Sequence, residues 1–138
     1  MRKAFGIVIG CTLLCGLVMA AMHAVSPPTA TVPVVINLNR NTEGVDPPWF
    51  ELSYGRGDTV QWTAPKSVAC TVGFKGDSPF APQRTFAIPA RGQSPVLKPT
   101  AAAAPPAGAP PGKVYKVYRY YVDCGAAGFF DPGGGMTP

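Results

Sequence analysis

From residue 31 onward, hydrophobic and polar positions alternate with a period of two through most of the chain. That is the period of a strand with one face buried. "TVPVVINL" puts Val32, Val34, Ile36 and Leu38 on one face, and "WFELSY" does the same with Phe50, Leu52 and Tyr54. "GRGD" supplies a turn, its two glycines suited to positive φ, and "DTVQWTAP" follows with Val60 and Trp62 inward. "SVACTVGF" aligns Val68, Cys70, Val72 and Phe74, and "RTFAIP" aligns Phe86 and Ile88. The longest candidate strand is "KVYKVYRYYVDC", in which Tyr118, Tyr120, Val122 and Cys124 share a face. Five to seven short strands separated by turn signals predict an all-β sandwich.

Between the last two of these strands lies "KPTAAAAPPAGAPPG", residues 98–112. Its prolines block helix interiors and central strands alike, so it reads as an extended loop inserted at a strand connection. "PGGGM" near the end of the chain reads as a flexible tail. The Arg-Gly-Asp triplet at 56–58 reads as the turn before a strand rather than as an adhesion motif.

The N-terminus changes the picture of where this domain works. Arg2 and Lys3 precede the apolar run "AFGIVIGCTLLCGLVMAA" and a series of small residues. This is the layout of an export signal, with cleavage after Ala20, Ala21 or Ala24; an uncleaved membrane anchor and a lipid anchor at Cys11 are the alternatives. The domain boundaries follow: 1–24 signal, 25–31 a Pro-containing leader, and 32–138 the folded domain. The 138 residues carry a formal charge of +5, and without Arg2 and Lys3 the remainder holds 10 basic residues against 7 acidic, or +3. The excess is scattered, so no basic cluster invites nucleic acid. Periplasmic or secreted location is the expectation.

Loss of the signal also removes Cys11 and Cys15, leaving Cys70 and Cys124. An even count in an exported protein reads as one disulfide. His23, at the signal boundary, is the single histidine of the chain. That leaves no Ser-His-Asp set, and the carboxylates sit mostly beside glycine or proline with no evident dyad. A non-catalytic protein is the expectation.

The order "GDTVQWTAPKSVACTVGFKGDSPF", "TFAIPARGQS", "VYRYYVDCG" resembles the cupredoxin-like superfamily over roughly residues 32–136. The resemblance implies a Greek-key sandwich and, residue by residue, a ligand set. The family's first histidine falls at or beside Cys70, its cysteine at Cys124 and its axial methionine at Met136. The second histidine has no counterpart between Gly125 and Gly135. A blue-copper site needs two imidazoles and a thiolate, so type 1 copper is excluded by the residues present. The resemblance further implies that Cys70 and Cys124, standing where two ligands of one metal would meet, are close enough to bond. Asp131-Pro132 resembles a motif of metal-free exported members, which often continue into one more strand, whereas this chain stops at "GGGMTP".

No cofactor is therefore expected. The alternative is a copper(I)-handling protein using two thiolates and a thioether, from Cys70, Cys124 and Met136. Trp49, Tyr115 and Tyr121 fall on the outward parity of their strands; an edge or a second packed layer accounts for them first, and a surface for an envelope partner or ligand is the functional alternative. A monomer is expected.

Overall fold

The computed structural model describes residues 27–39 and 43–138. The expected signal segment and cleavage sites, with Cys11, Cys15 and His23, lie outside the described residues. Among the described residues no helix is long and apolar enough to cross a membrane.

Nine strands are described: β1 (Thr31–Ile36), β2 (Val45–Asp46), β3 (Trp49–Ser53), β4 (Thr59–Thr63), β5 (Cys70–Phe74), β6 (Thr85–Ile88), β7 (Lys116–Asp123), β8 (Phe129–Phe130) and β9 (Gly133–Thr137). They make an all-β sandwich. One sheet has the order β2-β1-β4, the other the order β3-β9-β7-β5-β6 with β8 beside β7.

Alternation places the core as the sequence predicts. In the small sheet β1 runs parallel to β4, from Thr31 opposite Thr59 to Val35 opposite Thr63. Val34, Ile36, Val60 and Trp62 face inward and are buried. Pro33 lacks the N–H a ladder needs, and β2 reaches only Val35 and Ile36, so Pro33 sits where β1 has an open side. Residues 93–97 run along the far edge of β4, bridging Thr63 to Gln93 and Val60 to Leu97. Ser94 completes the cover: its N–H donates to the Trp62 carbonyl at 2.8 Å, and its Oγ accepts the Trp62 N–H at 3.0 Å. An exposed strand edge is thereby closed.

Trp62 joins the two sheets. Its ring lies 5.7–6.3 Å from those of Phe50, Phe74, Phe80 and Tyr120, edge to face with each. Such pairs add about 0.5–1.5 kcal/mol apiece beyond the area they bury. Burial pushes the Tyr120 hydroxyl far above its ordinary value; the facing Trp62 indole opposes this without coming into hydrogen-bond geometry.

The "GRGD" turn is built around a buried carboxylate. Asp58 is 1% exposed and accepts the Ser53 N–H at 2.9 Å, the Ala30 N–H at 3.0 Å and the Arg56 guanidinium at 2.6 Å. An adhesion triplet must present its aspartate, and here the aspartate is consumed by the fold. The same contacts tie residues 29–30 to the sandwich: Thr29 donates to the Arg56 carbonyl, and β1 begins at Thr31.

Two expectations need correction. "PGGGM" is no tail. Gly133–Thr137 is β9, lying between β3 and β7 in the middle of the large sheet. Its glycines are there because rings from β3 cover both of its faces. A Cβ on Gly134 would lie 2.4 Å from the Phe50 ring on the inner face, and one on Gly133 2.8 Å from the Trp49 ring on the outer face. Glycine in a strand marks this kind of close approach.

The Ala/Pro segment is also not loop throughout. Ala101–Ala103 forms a 3-10 turn with Ala103 1% exposed, and Thr100 donates its N–H to the Pro79 carbonyl at 2.9 Å. The remainder, 104–112, is largely exposed.

Candidate functional site

Cys70 opens β5 and Cys124 follows the end of β7, adjacent strands paired at Thr71 opposite Asp123. Both side chains point into the sandwich and are 3% and 2% exposed. They form a disulfide with Cα atoms 4.2 Å apart. The sulfurs are thus bonded to one another rather than open as thiolates.

Met136 is nowhere near them. It is fully buried in β9, opposite Lys116 at the start of β7, whereas Cys124 follows the end of β7. Eight residues of strand separate the two positions, about 26 Å at the usual rise. The three sulfurs proposed for copper(I) do not converge. Among the described residues no group of three His, Cys, Asp or Glu side chains converges as metal ligands do.

Of the three aromatic residues expected on the outer face, two are there. Trp49 is 40% exposed and lies across Gly133 and Gly135; a Cβ on either would come within 3.0 Å of the indole. Its N–H donates to Glu51 at 3.3 Å, which fixes the ring's in-plane direction. Tyr121 lies over Gly73, directly opposite it on β5; a Cβ there would lie 2.2 Å from the phenol ring.

Tyr115 is not on this face. Its hydroxyl donates to the Ala103 carbonyl and its N–H to the Met136 carbonyl, so it pins the 3-10 turn to the sandwich. Burial, then the nearby Tyr118 and Tyr54 hydroxyls, push its pKa up. Strand parity could not predict this, because Tyr115 precedes β7 and its partner lies in the Ala/Pro segment.

Sequence reasoning missed Phe129, which is 57% exposed. It stacks on Tyr121 with centroids 5.5 Å apart and planes 15° from parallel, and the Lys75 ammonium sits 5.9 Å from its ring centre. The signal available was "GFF" beside Asp131-Pro132, two adjacent aromatics outside every strand that the alternation predicts. Val117 (55%) and Val114 (37%) also lie by the Trp49 strip: Val117 opposite Gly135, Val114 within 3.0 Å of a Cβ there. Four of the six exposed large hydrophobic residues described therefore share one sheet face.

Polar groups surround them. Arg119 stands opposite Gly133, and Gly133 opposite Trp49; Lys75 donates its N–H to the Arg119 carbonyl. The row thus runs from Trp49 in β3 through Gly133 in β9 and Arg119 in β7 to Lys75, the residue after β5, about 14 Å at the usual strand spacing. Because β5 ends at Phe74, opposite Tyr120, residues 116–118 of β7 lack a strand neighbour on that side. The notch is an open groove of about 580 Å³, lined by Lys75, Asp77, Lys116, Val117, Tyr118 and Arg119. Lys75 pairs with Asp131 at 2.7 Å and Lys116 with Asp77 at 3.0 Å. The hydrogen bond from Lys116, then its charge, hold Asp77 below the ordinary carboxylate range, and Asp77 in turn raises Lys116. Arg119 has no ion-pair partner among the described residues. Lys116 shares the parity of the buried Tyr118 and stands over its ring, so the Lys116–Asp77 pair belongs to the notch at the sheet's end, and the outer face itself carries Lys75 and Arg119 against Glu51, Asp123 and Asp131.

No protein-family model matches the chain, and no curated protein matches it.

Proposed function

We propose that the protein is an exported, non-catalytic binding module of the cell envelope, periplasmic or secreted, and that the outer face of its large sheet is the binding surface. The observation that carries this reading is that face: Trp49 and the Tyr121–Phe129 pair laid on glycines, with paired and unpaired polar groups beside them. Aromatic rings exposed together and rimmed by polar side chains are the composition of a recognition surface. The disulfide fits an oxidising compartment. In this reading the domain is a cupredoxin-like Greek-key sandwich in which the Cys70–Cys124 bond stands where a type 1 copper site would be. Copper handling gains nothing from the geometry, since Met136 lies at the far end of β7 from the cysteines.

The test has two arms. Cell fractionation with intact-mass measurement should find a chain beginning between Ala21 and Val25, with its cysteines oxidised. Purified protein should be retained on isolated cell envelopes, and Trp49→Ala with Phe129→Ala should reduce that retention, while Val96→Ala, an exposed residue off this face, should not. A cytosolic protein with free thiols, or retention indifferent to Trp49 and Phe129, refutes the reading.

A further inference from the structure

Resting on the binding-module reading, we infer that the ligand class of the outer face is a neutral, extended polysaccharide whose sugar rings stack on Trp49 and Phe129. Three features of the face select it.

The first is ring orientation. An aromatic side chain that merely fills space presents whichever edge packing leaves over. Trp49 instead lies against Gly133 and Gly135, with its indole N–H turned to Glu51 in its own strand. Its inner face is against backbone, so its outer face is what solvent meets. Phe129 lies nearly parallel to Tyr121, which itself lies over Gly73. Flat rings offered face-on suit the C–H-lined faces of pyranose rings. They suit a protein partner less well, because a protein hot spot typically inserts an anchor into a pocket, and these rings form a raised floor.

The second feature is charge. Two cations, Lys75 and Arg119, and three carboxylates, Glu51, Asp123 and Asp131, stand on the face, and Lys75 is already paired with Asp131. Such a surface, of mixed sign with a single negative charge in excess, has no field to draw in a polyanion and little to draw in a polycation. It does offer many fixed donors and acceptors. Ligand hydroxyls, each both donor and acceptor, match that mixture. Arg119, the cation without an ion pair, lies in the Trp49 row and has its donors free for such hydroxyls.

The third feature is length and direction. The row from Trp49 to Lys75 crosses the strands for about 14 Å, with the groove beside Val117 and Arg119 alongside it. A ribbon of several sugar rings can lie along this track, while a single monosaccharide would reach only one ring.

The experiment is affinity electrophoresis of the purified full chain through gels containing hydroxyethylcellulose, with pull-down on insoluble cellulose and on chitin as a second readout. Polygalacturonate and dextran sulfate serve as anionic comparators, each probe at low and high salt. The expected result is retention by at least one neutral polymer that changes little with salt, and about tenfold weaker binding for Trp49→Ala, the loss of a stacking contact of order 1.4 kcal/mol. Gly133→Ala tests ring orientation separately, since its methyl group would lift the exposed indole from the strand. It should weaken binding while Trp49→Tyr, which keeps a ring, retains most of it. Melting curves confirm that each variant is folded; if Trp49→Ala is not, Phe129→Ala and Arg119→Ala take its place. Binding only to the anionic polymers, with loss at high salt, overturns the inference. So does neutral-glycan binding that is indifferent to Trp49, Phe129 and Gly133. If envelope retention depends on Trp49 but no neutral glycan is bound, the ligand class is wrong and the binding-module reading survives. If envelope retention is also absent, both fall.

Discussion

Replacing Cys70 and Cys124 together by alanine should lower stability by about 4 kcal/mol, and the size of that loss follows from the topology. The bond joins positions 54 residues apart. In the chain-entropy account, closing a loop of that length in the unfolded chain is worth about 4 kcal/mol at room temperature. The folded state itself changes little, because β5 and β7 are already hydrogen-bonded from Thr71–Asp123 to Phe74–Tyr120. Loss of two buried sulfurs adds a smaller packing cost. Against the 5–15 kcal/mol margin usual for a domain, the double variant stays folded but loses on the order of 15 °C in Tm. Urea unfolding followed by tryptophan fluorescence measures this, since Trp62 is buried at the centre of the sandwich. The oxidised protein, the reduced protein and the double variant should be compared. The reduced form and the double variant should lose nearly the same stability, and both should show a steeper urea dependence, because an uncrosslinked chain exposes more surface on unfolding. A loss under about 1 kcal/mol with an unchanged slope would refute the chain-entropy reasoning.

Asp58→Ala should cost about 2–4 kcal/mol, since it strands the buried Ser53 N–H and releases the Ala30 N–H and Arg56. The Asp58 pKa is lowered: desolvation pushes it up, but the Arg56 guanidinium and the two backbone N–H donors outweigh that. Its contribution is therefore complete above about pH 4, the ordinary aspartate value, and is lost as pH falls through the lower folded value. Unfolding curves across the acid range should show the wild-type stability falling toward that of Asp58→Asn, and parallel curves would sink the assignment. Deleting residues 104–111 should leave the melting transition within about 0.5 kcal/mol of wild type. Extending the deletion through Thr100–Ala103 should cost about 1–2 kcal/mol by orphaning the Tyr115 hydroxyl and unpacking Ala103; equal effects from both deletions would contradict the anchored turn. Gly134→Ala should cost about 1–3 kcal/mol by overpacking against Phe50, and a neutral result by thermal melting would show that the Phe50 ring is free to move.

Strands whose alternation was carried by large side chains were legible in the sequence. Val60 and Trp62 in β4, and Tyr118, Tyr120 and Val122 in β7, stand on the inner faces where a period of two puts them. The cysteine pair was legible for a different reason: with the expected signal segment set aside, arithmetic leaves only one pairing. β9 was not legible, because a strand of glycines has no alternation to read; its side-chain positions are occupied by rings belonging to β3. β2 escaped as well, being two residues held by their pairing with Val35 and Ile36. The surface was half legible. Parity placed Trp49 and Tyr121 outward, but Tyr115 turned to a partner in the Ala/Pro segment, and Phe129 sat in a stretch without a period.

β9 shows how the core and the candidate site depend on one strand. Trp49 and Phe50 are consecutive in β3, so their rings leave on opposite faces. Each meets a glycine on the parallel neighbour, Gly133 outside and Gly134 inside. On the inside, the missing side chain lets Phe50 sit 5.8 Å from Trp62 and 5.6 Å from Tyr120, closing the aromatic centre of the sandwich. On the outside, the same feature lets Trp49 lie flat. A methyl group at Gly134 meets a ring that is 2% exposed and has no room to yield, whereas one at Gly133 meets a ring that is 40% exposed and can lift away. Neighbouring substitutions of identical chemistry should therefore separate, Gly134→Ala acting on stability and Gly133→Ala on recognition. This is a consequence of placing a glycine run, rather than a branched or aromatic strand, beside β3.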